Sequence, residues 1–230
     1  MPAEDNAIPE TVVLLHGLAR TPRSMLGAGL WFQRAGFQVA YVGYPSRKTG
    51  IAEAVRSHVA PKLAEIAARR GAGRIHFVTH SLGGIVFRAW AAGYAENYPL
   101  GRAVLLAPPN QGSEIVDRLG GWFVARQIMG PVLQELGTGE NSTPRRLGAV
   151  PAETGVIMGD QANLPFFRQW LGPESDGVVT VKGGRVEGIQ DFLVVPAGHT
   201  WIMWRPGVLA AAEHFIRHGR FPTDASGRDG

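Results

Sequence analysis

The sequence RIHFVTHSLGGIV occupies residues 74–86, and its order of residues decides the fold. Residues 75–79 are mostly apolar, β-branched or aromatic, which predicts a buried strand. A helical pattern begins at once, with no loop between the two elements. Ser81 therefore stands at a tight, strained turn that needs small neighbours such as Gly83 and Gly84. Such a turn would raise the Ser81 hydroxyl above the edge of a sheet.

The rest of the chain alternates short β-rich runs with helical patterns, which is typical of a parallel sheet with crossover helices. Strands are predicted at residues 11–15, 37–42, 75–79, 103–106, 154–158 and 192–195. Helices are predicted at residues 24–35, 51–70, 82–97 and 201–217, with Pro61 kinking or dividing the second. We therefore expect one α/β domain over residues 1–220, with about six mostly parallel strands and helices on both faces. Residues 221–230 are polar and glycine-rich, so we expect a flexible tail there.

The segment 113–136 is amphipathic and allows two interpretations. It carries Trp122, Phe123, Ile128 and Met129 directly after the fourth predicted strand. These apolar residues fit an ordinary crossover helix packed on the sheet. They fit equally a small lid beside a substrate cleft.

The composition limits the classes of function. The chain has 230 residues, 45% of them hydrophobic, and no apolar run of the roughly 18–20 residues needed to span a bilayer. Its N-terminus lacks the apolar stretch of a signal peptide, so we expect a cytoplasmic protein. The absence of cysteine excludes disulfides, thiolate metal sites and a cysteine nucleophile. The net charge is +4, but the arginines are scattered, which argues against a nucleic-acid partner.

Four stretches give the chain a resemblance to a known family. They are LHG at 15–17, THSLGG at 79–84, SDGVV at 175–179 and GH at 198–199. With these stretches the chain resembles the α/β-hydrolase superfamily, and within it the small bacterial serine esterases and lipases. Thr79 departs from the G-x-S-x-G pattern of that superfamily, because it replaces the first glycine.

The resemblance implies a role for each stretch. Ser81 would be the nucleophile, and the backbone N–H groups of Leu82 and Leu18 would form the oxyanion hole. Leu18 follows the His16-Gly17 pair at the end of the first strand, where these folds place the second donor. His80, beside the nucleophile, is expected to pack at the turn rather than to act as a second base.

Three histidines follow Ser81 in the sequence, and one of them suits a catalytic base. His199 lies in a Pro-Ala-Gly-His loop after the last predicted strand, from which it can reach the turn. His214 and His218 lie inside the terminal helix, too far away. Their spacing of four could supply half a metal site, but no third ligand is evident.

The acid has two candidates. Asp176 resembles the Asp-Gly stretch of lipases and precedes His199 by a similar interval. Asp160 directly follows the fifth strand, where the family's acid generally resides. Asp176 is the preferred acid, and Asp160 is its competitor.

These assignments predict carboxylic ester hydrolysis through an acyl-enzyme on a Ser81–His199–Asp176 triad, without a metal or organic cofactor. A small-molecule ester or lipid is the expected partner. A thioesterase or acyltransferase would use the same triad, and a catalytically silent binding module could share the fold.

Two further stretches allow more than one interpretation. Trp201, Met203 and Trp204 would form the buried face of the last helix or part of an acyl-chain wall. Residues 110–114 would line the cleft, or Ser113 would cap the next helix.

Overall fold

The computed structural model describes residues 9–70, 73–119, 127, 129–150, 152–162 and 169–223. These residues form one sheet of six parallel strands in the order β2-β1-β3-β4-β5-β6. The strands are β1 (Thr11–Leu15), β2 (Gln38–Val42), β3 (Ile75–His80), β4 (Leu100–Leu106), β5 (Thr154–Gly159) and β6 (Ile189–Val195). The predicted fold class is confirmed, and every predicted strand is present with its ends shifted by at most three residues.

Helices cover the sheet on both sides. They are α1 (Leu26–Arg34), α2 (Ile51–Ala54), α3 (Ala60–Arg70), α4 (Leu82–Tyr94), α5 (Glu114–Leu119), α6 (Thr143–Arg146) and α7 (Pro206–His218). A π-helical stretch, Val55–Val59, joins α2 to α3 immediately before Pro61. Proline lacks an N–H and collides with the carbonyl four residues earlier, so the wider π turn accommodates it. The predicted division of this helix is confirmed.

Alternate residues of each strand supply two separate cores, because successive side chains of a strand point to opposite faces. On β1, Val13 packs in the core beneath α2, α3 and α4. Its neighbour Val12 packs in the other core, beneath α1 and α7. All five residues of β1 are buried, as expected for a central strand covered on both faces.

A buried arginine joins α4 to the chain that follows β4 and α6. The Arg88 guanidinium donates to Asn110 Oδ1 at 3.1 Å, to the Pro144 carbonyl at 3.0 Å and to the Gly148 carbonyl at 2.6 Å. Burial lowers the pKa of Arg88 to about 10, and the side chain satisfies several carbonyls at once. Arg88 thus fixes segments around the helix that begins at Ser81.

Ordered packing extends past the predicted domain boundary at residue 220. Phe221 is buried against Phe215 of α7, with ring centroids 4.9 Å apart. Its N–H donates to Asp191 Oδ2 at 2.7 Å, close to the amino end of β6. Phe221 therefore belongs to the packed part of the chain, and residues 224–230 of the predicted tail lie outside the described residues. No helix in the described ranges is both long and apolar enough to cross a bilayer.

Candidate active site

Ser81 lies between β3 and α4 in a conformation that few residues other than glycine adopt. Its φ is 53° and its ψ is −122°, and its N–H donates to the Leu106 carbonyl at 2.8 Å. A Cβ on Gly83 would lie 2.6 Å from the Leu15 carbonyl oxygen, so only glycine allows α4 to approach β1 this closely. The surrounding backbone thus holds the strained turn in place.

Thr79 fits in place of the expected glycine because Gly84 leaves room for it. Thr79 is fully buried. A Cβ on Gly84 would lie 3.3 Å from Thr79 Oγ1 and 3.0 Å from Pro108 Cβ. The departure from the G-x-S-x-G pattern is therefore accommodated without opening the turn.

His199 lies on the loop after β6, and its ring reaches Ser81. Ser81 Oγ is 2.9 Å from His199 Nε2, within hydrogen-bond distance. On the other side of the ring, Nδ1 donates to Asp176 Oδ2 at 2.7 Å. With the proton on Nδ1, Nε2 is left as the acceptor for the Ser81 hydroxyl.

Asp176, and not Asp160, makes this contact with the imidazole. The Asp176 side chain is fully buried, while the His199 side chain is 11% exposed. Asp176 Oδ1 accepts the N–H groups of Val178 at 2.9 Å and Val179 at 2.8 Å. These two bonds fix the carboxylate, because each of its oxygens then has a defined partner. Asp160 follows β5 as predicted, but the loop carrying Asp176 supplies the carboxylate at the ring.

His80 supports the loop that carries His199. Its Nε2 donates to the His199 carbonyl at 2.9 Å. Burial, reinforced by the nearby His199 ring, lowers the pKa of His80 to about 3, so His80 is neutral at ordinary pH. The sequence predicted that His80 packs at the turn, which is confirmed. Its bond to the His199 main chain was missed, because no sequence spacing links residues 119 positions apart.

Leu82 and Leu18 carry the two predicted backbone donors; Leu82 follows Ser81 in the chain, and Leu18 lines the same cavity. Leu82 is the first residue of α4, so its N–H is one of those that have no acceptor within the helix. Leu18 lies on the loop after β1 and lines the same cavity as Ser81. Gly17 lets this loop come close, because a Cβ there would lie 2.9 Å from His80 Nδ1.

A cavity of about 270 Å³ opens onto Ser81 and His199. Its far walls are mostly apolar. They include Ile115, Val116, Met129, Leu133 and Leu136, together with Val178 and Val179 of the Asp176 loop. The cavity thus places aliphatic side chains next to the hydrogen-bonded residues Ser81, His199 and Asp176.

The segment 113–136 supplies several of these walls. Its described residues include α5, Glu114–Leu119, and a 3-10 helix, Pro131–Glu135, which follows Gly130 at a φ of 78°. Met129 lines the cavity, whereas the predicted lid residues Trp122, Phe123 and Ile128 lie outside the described residues. Both interpretations of this segment, a lid and a crossover helix, stay predictions.

Within the stretch 110–114, Ser113 lines the cavity at Ser81, and it also stands at the start of α5, where its carbonyl accepts the Val116 N–H at 3.0 Å. Ser113 Oγ donates to the Val178 carbonyl at 2.8 Å, on the Asp176 loop. Asn110 is buried and donates through Nδ2 to the Gly184 carbonyl at 2.8 Å. Both side chains therefore connect the end of β4 to the chain around Asp176.

The tryptophans after His199 are surface residues, so the prediction of a buried helix face is wrong for them. Trp201 is 54% exposed and Trp204 is 51% exposed, whereas Met203 between them is buried. The helix predicted from residue 201 begins at Pro206, because a 3-10 turn, Ile202–Trp204, precedes it. Neither tryptophan lines the Ser81 cavity as described, so the acyl-wall interpretation gains no support.

Solved structures with the same architecture include several hydrolases. The lipase BlEst2 of Bacillus licheniformis in its mature form superposes with a TM-score of 0.73 at 19% identity, covering 94% of this chain and 93% of that chain. The chain has the α/β-hydrolase fold. Carboxylesterase CesB of Bacillus subtilis gives a TM-score of 0.55 at 15% identity, covering 92% and 84% of the two chains. Phospholipase PlaB of Legionella pneumophila gives 0.63 at 22% identity, covering 78% of this chain and 45% of that chain.

At these identities the likeness establishes the fold and leaves the reaction open. No protein-family model matches the sequence, and no curated protein matches it either. The resemblance predicted from the four short stretches is confirmed at the level of the fold.

Proposed function

We propose that this α/β-hydrolase-fold chain is a serine hydrolase that cleaves carboxylic esters through an acyl-enzyme on Ser81. The observation that carries the proposal is the chain of hydrogen bonds from Ser81 through His199 to Asp176 at the mouth of an apolar cavity. Lipases and carboxylesterases among the structural neighbours agree with it.

In this mechanism Ser81 Oγ attacks the ester carbonyl carbon while His199 Nε2 takes the hydroxyl proton. Asp176 stabilises the imidazolium that results. The negative charge on the carbonyl oxygen is stabilised by the N–H groups of Leu18 and Leu82, the second of which lies at a helix N-terminus. The C–O bond to the alcohol then breaks, and His199 returns the proton to the departing alkoxide.

Water then hydrolyses the acyl-enzyme, with water as the nucleophile and Ser81 as the leaving group. His199 removes a proton from water, the hydroxide attacks the acyl carbon, and Ser81 leaves with the proton from the imidazolium. The aliphatic walls of the cavity fit the acyl half of the substrate, since burying apolar surface is favourable. No step requires a further group beyond these residues and water.

The direct test is labelling by a fluorophosphonate probe, with the adduct located by mass spectrometry. We expect the adduct on Ser81, and we expect Ser81→Ala to abolish both labelling and hydrolysis of p-nitrophenyl butyrate. Ser113→Ala is the matched control, because Ser113 is another serine that lines the cavity. The Ser113→Ala variant should still be labelled, on Ser81.

An adduct on a different serine, or a folded wild-type protein that neither labels nor hydrolyses esters, would refute the proposal. Acyl thioesters and alcohol acceptors in the same assay separate an esterase from a thioesterase or acyltransferase, since all three would form the same adduct.

A further inference from the structure

A second groove, of about 560 Å³, adjoins the Ser81 cavity. It lies between the loop after β1 and the loop after β2. Arg20 lines both the groove and the Ser81 cavity, so the two spaces meet at this side chain. The remaining lining residues include His16, Tyr44, Ser46, Arg47 and Lys48. A substrate held at Ser81 could therefore extend past Arg20 into the groove.

The two loops that form the groove are fastened to each other. Ala19 N–H donates to Ser46 Oγ at 3.1 Å, and Tyr44 O–H donates to the His16 carbonyl at 2.5 Å. The His16 and Tyr44 rings stack, with centroids 4.4 Å apart and planes 8° from parallel. Tyr44 and His16 are both buried. The floor of the groove is thus held together by internal contacts that do not depend on a ligand, and such preorganisation lowers the entropic cost of binding.

The described lining of the groove is positively charged. It includes Arg20, Arg47 and Lys48, and no Asp or Glu among the residues that the structure describes. Within the part of the chain that the structure describes, none of these three cations forms an ion pair. The sequence itself has no acidic residue from position 11 to position 52. Cations without an ion-pair partner are available to a ligand, and guanidinium and ammonium groups that line one groove match a phosphate in charge and as hydrogen-bond donors.

We propose that this groove, formed by Arg20, Arg47 and Lys48, binds a phosphate on the alcohol half of the substrate. The acyl half occupies the aliphatic cavity, and the ester carbonyl lies at Ser81 between the two spaces. The enzyme would then favour esters of phosphorylated alcohols, whether the phosphate belongs to a lipid headgroup or to a soluble ester. This inference rests on the proposed ester hydrolysis and adds the substrate class.

The test compares two soluble esters that differ only in the phosphate group, 1-butyryl-glycerol 3-phosphate and 1-butyrylglycerol. We expect wild-type protein to have a higher kcat/KM for the phosphate ester, and we expect 0.5 M NaCl to lower that preference by screening. Arg47→Ala/Lys48→Ala should reduce the ratio of the two kcat/KM values about 10-fold or more, as expected for losing charge-assisted hydrogen bonds. The matched control is Arg145→Ala/Arg146→Ala, which removes two adjacent exposed cations elsewhere.

The control should keep the wild-type ratio. An equal fall in both double variants would mean that net charge, not the groove, sets the preference. If wild-type protein hydrolyses the neutral ester but shows no preference for the phosphate ester, the proposed phosphate site is refuted and the proposed ester hydrolysis is not.

Binding of glycerol 3-phosphate to Ser81→Ala, measured by calorimetry, tests the groove without catalysis. If the wild-type protein hydrolyses no ester, while Ser81→Ala still binds glycerol 3-phosphate in a way that depends on Arg47 and Lys48, the phosphate site is supported and the proposed hydrolase is refuted. Vesicles of phosphatidylglycerol and of phosphatidylcholine, assayed beside the soluble esters, distinguish a lipid source of the phosphate from a soluble one.

Discussion

Replacing Asp176 by asparagine tests the role of this carboxylate with almost no change in shape. Two backbone N–H groups, from Val178 and Val179, bond to Asp176 Oδ1. In the variant the asparagine must turn its amide oxygen toward these two N–H groups, because its NH₂ group is itself a donor and cannot accept their hydrogen bonds. The amide nitrogen then faces His199 Nδ1, in the place where the wild-type carboxylate accepts a hydrogen bond from Nδ1–H.

This orientation selects the wrong tautomer of His199. With an N–H donor opposite, Nδ1 becomes an acceptor and the ring proton moves to Nε2, which can no longer take the proton of Ser81. The same change in serine proteases lowers kcat about 10⁴-fold, or about 5.5 kcal/mol in the barrier. The packing is unchanged and the bonds to Oδ1 persist, so we expect the free energy of unfolding to change by about 1 kcal/mol at most.

The assay is hydrolysis of p-nitrophenyl butyrate, run beside urea unfolding of the same samples. Asp160→Asn is the control, since Asp160 also lies after a strand on this side of the sheet. The reasoning is refuted if Asp160→Asn is the inactive variant, or if Asp176→Asn keeps more than about a tenth of the wild-type turnover.

Three further predictions concern stability, and urea unfolding measures each of them. Because burial lowers the pKa of His80 to about 3, below about pH 6.5 the unfolded chain binds a proton there that the folded chain refuses. Its contribution to the free energy of unfolding falls by about 1.4 kcal/mol per pH unit as the pH drops, and a His80→Gln variant with an unchanged slope would contradict this. Gly83→Ala should cost about 1–3 kcal/mol or more, since its Cβ would meet the Leu15 carbonyl. Gly27→Ala, with open space around it, should be neutral or stabilising by up to about 1 kcal/mol, and equal effects would refute the steric argument. Arg88→Met should cost about 3 kcal/mol by leaving buried carbonyls without a donor, and a loss below about 1 kcal/mol would count against that account.

Much of the sheet could be predicted because its central strands, such as β1, β3 and β5, are buried on both faces. Apolar runs such as residues 103–106 stand out between polar and glycine-rich stretches, so their existence follows from the sequence alone. Their ends were less certain. β4 begins at Leu100, because pairing with β3 continues into residues that are less apolar.

The candidate site was predictable wherever a residue type is rare or confined to one place. His199 was the only histidine after Ser81 outside the last helix, and the tight turn at Ser81 required glycine on one side. The choice between Asp176 and Asp160 rested on resemblance, since both follow or adjoin the end of β5. Only the distance to His199 Nδ1 separates them.

Other features could not be predicted from the sequence, because they depend on contacts between loops that are distant in the chain. The exposure of Trp201 and Trp204 was missed, since large aromatic residues near a helix usually indicate burial. The bond from His80 to the His199 carbonyl and the groove at Arg20 have no signature in spacing or composition. Such features arise when loops from separate strands meet at one edge.

All strands run in the same direction, so the amino edge and the carboxyl edge of the sheet carry different parts of the molecule. Thr11, where β1 begins, and Phe221, which bonds to Asp191 near the start of β6, both lie at the amino edge of the sheet. Ser81, Asp176 and His199 lie at the opposite edge. A surface anchor, an affinity tag or a fused partner attached through either end of the described chain would therefore hold the protein with the edge that carries Ser81 facing away from the attachment.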